Sequence, residues 1–344
     1  MKFGLFGGAT VAGAGDGSDS PRQYRAFIDY VLEAEQLGFH SVFLVEHHFT
    51  GFNQVSASIS LLTYLAAKTS VMRLGTAVTV LPWHNPVLLA EQAATLDLLS
   101  NGRFDFGIGK GYRWSEFAGF CIAPAEADER FAEALEVIKK AWSSRGRFSH
   151  HGKRWNFENV VVEPSPLTRP HPPMWMAAGS EGGIKWAASQ DFRLLLDQFC
   201  DADLAGSRIR TYRDALTARG AKFEPTAVGL TRALHVALDA KQRERAHQQR
   251  AQFLRHVAAL TNDPRGRTTL AIPSNDADMR AGTERSALIG TPGEIVDRLK
   301  ALEKQGVGYV LMLDVGGDPE ALRVFAREVM PEFRKSPAPL AVAA

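Results

Sequence analysis

The sequence predicts an α/β chain folded as a (β/α)8 TIM barrel with insertions, on three observations. Short apolar segments rich in Val, Leu, Ile and Phe alternate with longer helical stretches, the pattern of parallel strands buried on both faces. Polar clusters follow several of these strands at their C-terminal ends, where such a barrel carries its chemistry. No Gly-rich dinucleotide fingerprint with a correctly spaced acid follows the first strand, which disfavours an open doubly wound sheet.

The elements run in order. Lys2-Phe3-Gly4-Leu5-Phe6 is the first strand, and the Gly/Ala/Ser-rich stretch to Ser20 is a mobile loop. Ser20 and Pro21 open a helix that Gly38 ends. Strand two is Ser41-Val42-Phe43-Leu44-Val45, with a helix from about Val55 to Thr69 after it. Strand three spans Arg73–Val80, and Asn85-Pro86 starts a helix ending near Gly102. Strand four is Arg103–Ile108, followed by a helix from Glu126 to Trp142. Between 143 and 172 the rhythm breaks into a hairpin insertion, in which His150-His151-Gly152 reads as the turn. Strands five to seven are Met174–Ala178, Phe192–Leu196 and Val228–Leu238, with helices after each. The helix from Lys241 to Leu260 carries Lys241, Arg243, Arg245, Arg250 and Arg255, read as a solvated face. Segment 261–289 has no apolar period and is read as a second insertion, a lid. Thr291-Pro292-Gly293-Glu294 is a capping box, Tyr309–Leu313 is strand eight, and Pro319–Phe333 the last helix. A single domain over 1–335 with a flexible tail at 336–344 follows.

Bulk composition excludes several classes. With 344 residues, 45% hydrophobic and 23% charged, the chain is ordinary globular material. A formal net charge of +2 gives no nucleic-acid surface. No apolar run approaches a membrane span, and the N-terminus lacks a secretion signal. Cys121 and Cys200 are far apart and in no ligand-like spacing, which suits a reducing cytoplasm.

Three strand-end clusters carry candidate chemistry. The first is Glu46-His47-His48. Adjacent side chains on a strand point to opposite faces, so His47 and His48 do not converge on one metal ion. The second, Gly109-Lys110-Gly111-Tyr112-Arg113, joins close backbone approach to two cations. The third, Gly179-Ser180-Glu181-Gly182-Gly183, offers amide donors at a helix start, which favour an anion. Together the last two would clamp a phosphate.

Glu46-His47-His48-Phe49-Thr50, Gly75-Thr76-Ala77 through Leu81-Pro82, Asn85-Pro86-Val87, Gly102-Arg103-Phe104 and Leu288–Val296 resemble the bacterial luciferase-like flavin monooxygenases, in order and along nearly the whole chain. The resemblance implies a (β/α)8 barrel that takes reduced FMN from a separate NAD(P)H:flavin reductase, a transient partner. It implies that O2 adds at the flavin C4a carbon and that the peroxide oxygenates a small organic substrate. His47 matches the catalytic histidine, and Glu46 falls among the cofactor-binding residues. Ala77 and Val78 match a non-proline cis peptide beneath the flavin ring, and Lys110 and Ser180 match positions that hold the flavin phosphate, whereas Gly179 and Gly183 replace side-chain donors there and leave backbone amides, with Gly182 among the cofactor-binding residues, to do that work. Where the family has cysteine and arginine this chain has Gly109 and Lys110, and Arg113 is the candidate to replace the lost guanidinium fork. Two alternatives stay open: deazaflavin-dependent hydride transfer on the same fold, and flavin binding without turnover. The helices over 55–69 and 86–99 are apolar on more than one face, which predicts a homodimer through them.

Overall fold

Parallel strands β1 (Lys2–Gly7), β2 (Ser41–Leu44), β3 (Arg73–Thr76), β4 (Thr79–Val80) and β5 (Phe104–Gly109) open a barrel in the structure, a computed structural model. It describes residues 1–9, 20–50, 55–261, 275–314 and 318–334. The antiparallel hairpin β6 (Phe148–His151) and β7 (Asn156–Val160) stands outside. Strands β8 (Met174–Ala177), β9 (Arg193–Leu196), β10 (Val228–Val236), β11 (Leu288–Gly290) and β12 (Tyr309–Asp314) complete the set. The ring runs β1-β2-β3-β5-β8-β9-β10-β12 and closes where β12 pairs with β1. This is the closed eight-stranded barrel expected from the alternating pattern.

Around it lie α1 (Ser20–Leu37), α2 (Ser58–Lys68), α3 (Pro86–Leu99), α4 (Trp114–Gly119), α5 (Ala127–Ser143), α6 (Glu181–Ser189) and α7 (Ala202–Thr217). The remainder are α8 (Ala240–Thr261), α9 (Asp276–Ser286), α10 (Pro292–Lys304) and α11 (Pro319–Val324), the last continuing in tighter and wider turns to Phe333. Their starts follow the local chemistry. The Asn85 side chain accepts from the Val87 and Leu88 amides ahead of α3, and Thr291 with Glu294 forms the capping box of α10. No described helix is long and apolar enough to cross a membrane.

Two cores result. The larger lies between barrel and helices and includes Leu62, Leu96, Ile138, Ile209 and Leu299. The smaller fills the barrel with Phe43, Trp175, Leu195, Tyr309 and Leu311. Gly75 makes room for it: a Cβ there would lie 2.4 Å from the Phe43 ring. The N-terminal end of the barrel is plugged by polar contacts. Asp105 accepts from Arg73 Nε at 2.6 Å and from Trp175 Nε1 at 3.0 Å, and Ser41 Oγ bonds Tyr309 OH across Gly4. The opposite, C-terminal end is left for a site.

Five differences from the expected elements have identifiable causes. Strand three is two pieces, β3 and β4, interrupted at the cis peptide Ala77–Val78. The helix expected from Val55 begins at Ser58. His150 and His151 belong to β6 rather than to a turn, because Glu133 draws His150 inward at 3.4 Å and binds the Arg154 and Trp155 amides. Residues 275–289, expected as part of a lid, fall in α9 and β11. Met279, Thr283 and Ser286 are the buried face of α9, a stripe too thin and polar to register as amphipathic. The rest of the lid expectation, 262–274, lies outside the described residues, as do 10–19 of the N-terminal loop and the tail 336–344. Finally, α8 is not a uniformly solvated face, since Arg250 is 2% exposed.

Candidate active site

A cavity of about 950 Å³ opens at the C-terminal ends of the strands. Its floor includes Leu5, Phe6, Ala77, Val78 and Leu195. Gly109 lets Val78 lie against β5, because a Cβ at 109 would fall 2.3 Å from Val78 Cγ2. A side chain at 109 would force Val78 to shift.

At the end of β2, Glu46 and His47 both line the cavity. His47 Nδ1 lies 2.9 Å from Glu116 Oε1, and the same oxygen accepts the His48 amide at 2.9 Å. A carboxylate oxygen accepts, so Nδ1 carries the hydrogen and Nε2 keeps its lone pair. Burial lowers the His47 pKa below its usual value; the Glu116 hydrogen bond works against this and the Arg113 charge adds to it. The imidazole is therefore neutral at pH 7, oriented by Glu116, with its side chain 12% exposed.

His48 turns the other way, in the loop that follows β2. Its Nε2 lies 3.0 Å from Glu46 Oε1, and its ring packs on Trp83 and Phe120. Glu46 also holds His84 Nε2 at 2.7 Å and the Val80 amide at 3.3 Å. Burial acts to raise the Glu46 pKa, but the hydrogen bonds from His48 and His84 outweigh it and hold the group lowered and charged. Glu46 thereby fixes the segment after the cis peptide.

The predicted phosphate residues divide. Lys110 and Gly179 line the cavity. Lys110 Nζ pairs with Asp128 Oδ1 at 2.6 Å, both side chains being largely exposed. Ser180, Gly182 and Gly183 lie in the first turn of α6, outside the cavity wall; Ser180 caps it by accepting the Gly183 amide at 3.3 Å. Arg113 is buried in the wall with Nη1 3.9 Å from Glu116 Oε1, the partner of His47.

Three groups escaped the sequence reading. Glu116 sits on α4, six residues too short to show a pattern. Arg208 of α7 stands by the turn at Gly179: a Cβ on Gly179 would fall 2.9 Å from its Nη2, while its Nη1 donates to Asp197 Oδ2 at 2.8 Å and its buried Nε has no partner among the described residues. Arg250 was grouped with surface cations, and only its position opposite Phe199 and Phe253 reveals it.

The donor set fits a phosphate-bearing flavin. An apolar floor suits a ring system, and Lys110, Arg208 and the start of α6 sit to one side as anion partners.

A closed parallel barrel with a carboxylate-oriented histidine at its C-terminal mouth has the architecture of a barrel enzyme. A profile of the luciferase-like monooxygenases matches residues 1–308, so the chain belongs to that family. It is 27% identical over 351 residues to the oxygenase component of flavin-dependent trigonelline monooxygenase from Acinetobacter baylyi, covering 98% of this chain and 96% of that protein. It is 28% identical over 220 residues to the alkanal monooxygenase alpha chain of the Kryptophanaron alfredi symbiont, 64% of this chain and 60% of that one. Among solved structures, monooxygenase RslO1 from Streptomyces bottropensis superposes with a TM-score of 0.82 at 25% identity, over 97% of this chain and all (100%) of that one.

Proposed function

We propose that this chain is the oxygenase component of a two-component monooxygenase. It receives reduced FMN from a separate NAD(P)H:flavin reductase and oxygenates a small organic substrate with O2. The observation that carries this is the His47–Glu116 pair at the edge of a cavity floored by Ala77–Val78. The named relatives support it: one is the oxygenase component of a flavin-dependent monooxygenase and another an alkanal monooxygenase.

Bound reduced flavin would supply the electrons that activate O2. The protein does the rest. Ala77, Val78 and Leu195 give the ring an apolar seat, and Lys110, Arg208 and the α6 amides take the phosphate. His47 Nε2, neutral and aimed by Glu116, holds or passes a proton at the reacting oxygen, a general acid–base role. The apolar residues of the lining, Ala77, Val78 and Leu195 among them, leave few partners for water on that side of the site. The two cysteines, both free thiols, fit a cytoplasmic setting.

The test is anaerobic titration with photoreduced FMN and with a reduced 5-deazaflavin, followed by mixing with oxygenated buffer. Tight binding of reduced FMN with an altered rate of its reoxidation is expected. Preference for the deazaflavin, with FMN reoxidation unaffected, would replace this reading with hydride transfer.

A further inference from the structure

Arg250 has surroundings unlike those of a surface cation. It is 2% exposed and forms part of the cavity wall. Burial pulls its guanidinium down to about 10, still charged at neutral pH. Its Nε and Nη1 are buried with no hydrogen-bond partner, and no carboxylate among the described residues pairs with it. Its flat faces are occupied instead: the guanidinium carbon lies 5.1 Å from the Phe253 ring centroid and 5.8 Å from that of Phe199. Aromatic faces steady a cation but leave its N–H donors unused. A desolvated charge with idle donors destabilises the fold unless an acceptor arrives.

The position is informative. Arg250, Phe253 and Val257 recur at helical spacing and all line the cavity, so one face of α8 is a wall. The far end of that helix meets α4, where Ser115 Oγ donates to the Leu260 carbonyl at 3.2 Å. Ser115 is next to Glu116, the partner of His47. At the rise of an α-helix, Arg250 stands about 10 Å along the wall from Val257. A ring with an anionic group on one end and a reacting atom on the other spans such a length. The flavin phosphate has its own partners in Lys110, Arg208 and α6, leaving Arg250 to a different anion.

Resting on the monooxygenase reading above, we infer that Arg250 recognises the organic substrate, and that this substrate is a small planar acid. Its carboxylate meets the guanidinium and its ring lies against Phe199 and Phe253. Arginine suits the task because its fork matches a carboxylate and its charge does not titrate away.

The test uses the full chain with benzoate as probe, benzamide as its neutral counterpart and inorganic phosphate as a competing oxyanion, read by calorimetry and thermal unfolding. Benzoate binding without flavin is expected, with benzamide and Arg250→Met each weakening it about ten- to a hundredfold. Ligand-free Arg250→Met should melt higher than wild type, because an unpaired buried charge is gone. If that variant does not fold, Arg250→Lys supplies the comparison and should weaken benzoate while sparing the melting point. Equal benzoate binding in wild type and variant overturns the inference, and so does benzamide or phosphate binding as tightly as benzoate. The ratio of reduced FMN to reduced riboflavin affinity should be unchanged by Arg250→Met; its collapse would assign Arg250 to the flavin phosphate instead. Loss of FMN binding with benzoate binding intact would sink the functional reading and leave the acid site standing.

Discussion

The imidazole of His47 and the carboxylate of Glu116 meet at 2.9 Å across 69 residues of sequence. One arrives on the end of β2 and the other on the short helix after β5. The pair sets the tautomer and the aim of the ring, while burial keeps it neutral against the pull of the carboxylate.

Replacing His47 by alanine should leave flavin binding intact and lower substrate oxygenation about 10²–10⁴-fold, measured as product formed per NADH consumed. Glu116→Gln should act through His47. With the carboxylate gone, only the smaller influence of Glu46 opposes burial and the Arg113 charge, so the His47 pKa falls further. Imidazole NMR titration of wild type and variant checks the sign; a rise in the variant would contradict the assignment.

Lys110 and Asp128 make a second pair, at 2.6 Å and open to solvent. If Lys110 serves the flavin phosphate, Asp128 competes for it. Lys110→Ala should weaken reduced FMN about ten- to hundredfold and leave riboflavin unchanged, whereas Asp128→Ala should tighten FMN modestly. Fluorescence-quenching titrations with both flavins measure this, and equal losses for the two would move the phosphate elsewhere.

Association through α2 and α3 is expected from what those helices leave uncovered. Tyr64 is 49% exposed, Leu88 55% and Leu99 61%. Such side chains clustered on neighbouring helices mark a partner surface. Sedimentation should find a species of twice 37.7 kDa at micromolar concentration, and Leu88→Glu with Leu99→Glu should return the monomer.

Acid should loosen the closed end of the barrel. The His40 pKa is lowered to about 4, first by burial and then by Lys2 and Arg73, against an ordinary value of 6.5. Between those limits the unfolded chain binds more protons than the folded one. Stability owed to His40 is therefore complete above about pH 6.5 and lost as pH falls towards 4. Urea unfolding at pH 8, 6 and 5 should show the decline, and His40→Asn should flatten it.

Much of this was legible in the sequence because strands buried on both faces leave a continuous apolar run. β5 is buried at all six positions, and Phe104–Gly109 could hardly be read otherwise. His47 was legible for the same reason, as a polar residue where such a run stops. The cis bond at Ala77–Val78 came from resemblance to a family, not from the residues. Glu116 and Arg208 were hidden because each acts through a long-range contact from a helix of ordinary composition. Arg250 was hidden by its neighbours: in a helix with several cations, nothing local says which one turns inward.

The polar contact over Gly4 at the closed end has a kinetic side. Ser41 and Tyr309 are 268 residues apart, and they join only because Gly4, on the strand between them, has no side chain to intervene. Every contact that closes the ring at β1 and β12 shares that sequence separation in kind. Loop-closure entropy must be overcome before such pairings contribute, so folding is slowed by its last step. A growing chain that lacks β12 presents two unpaired strand edges, β1 and β10, to its neighbours. Until Tyr309 arrives, the barrel is an open, aggregation-prone sheet, and the end of the chain decides whether the beginning is protected.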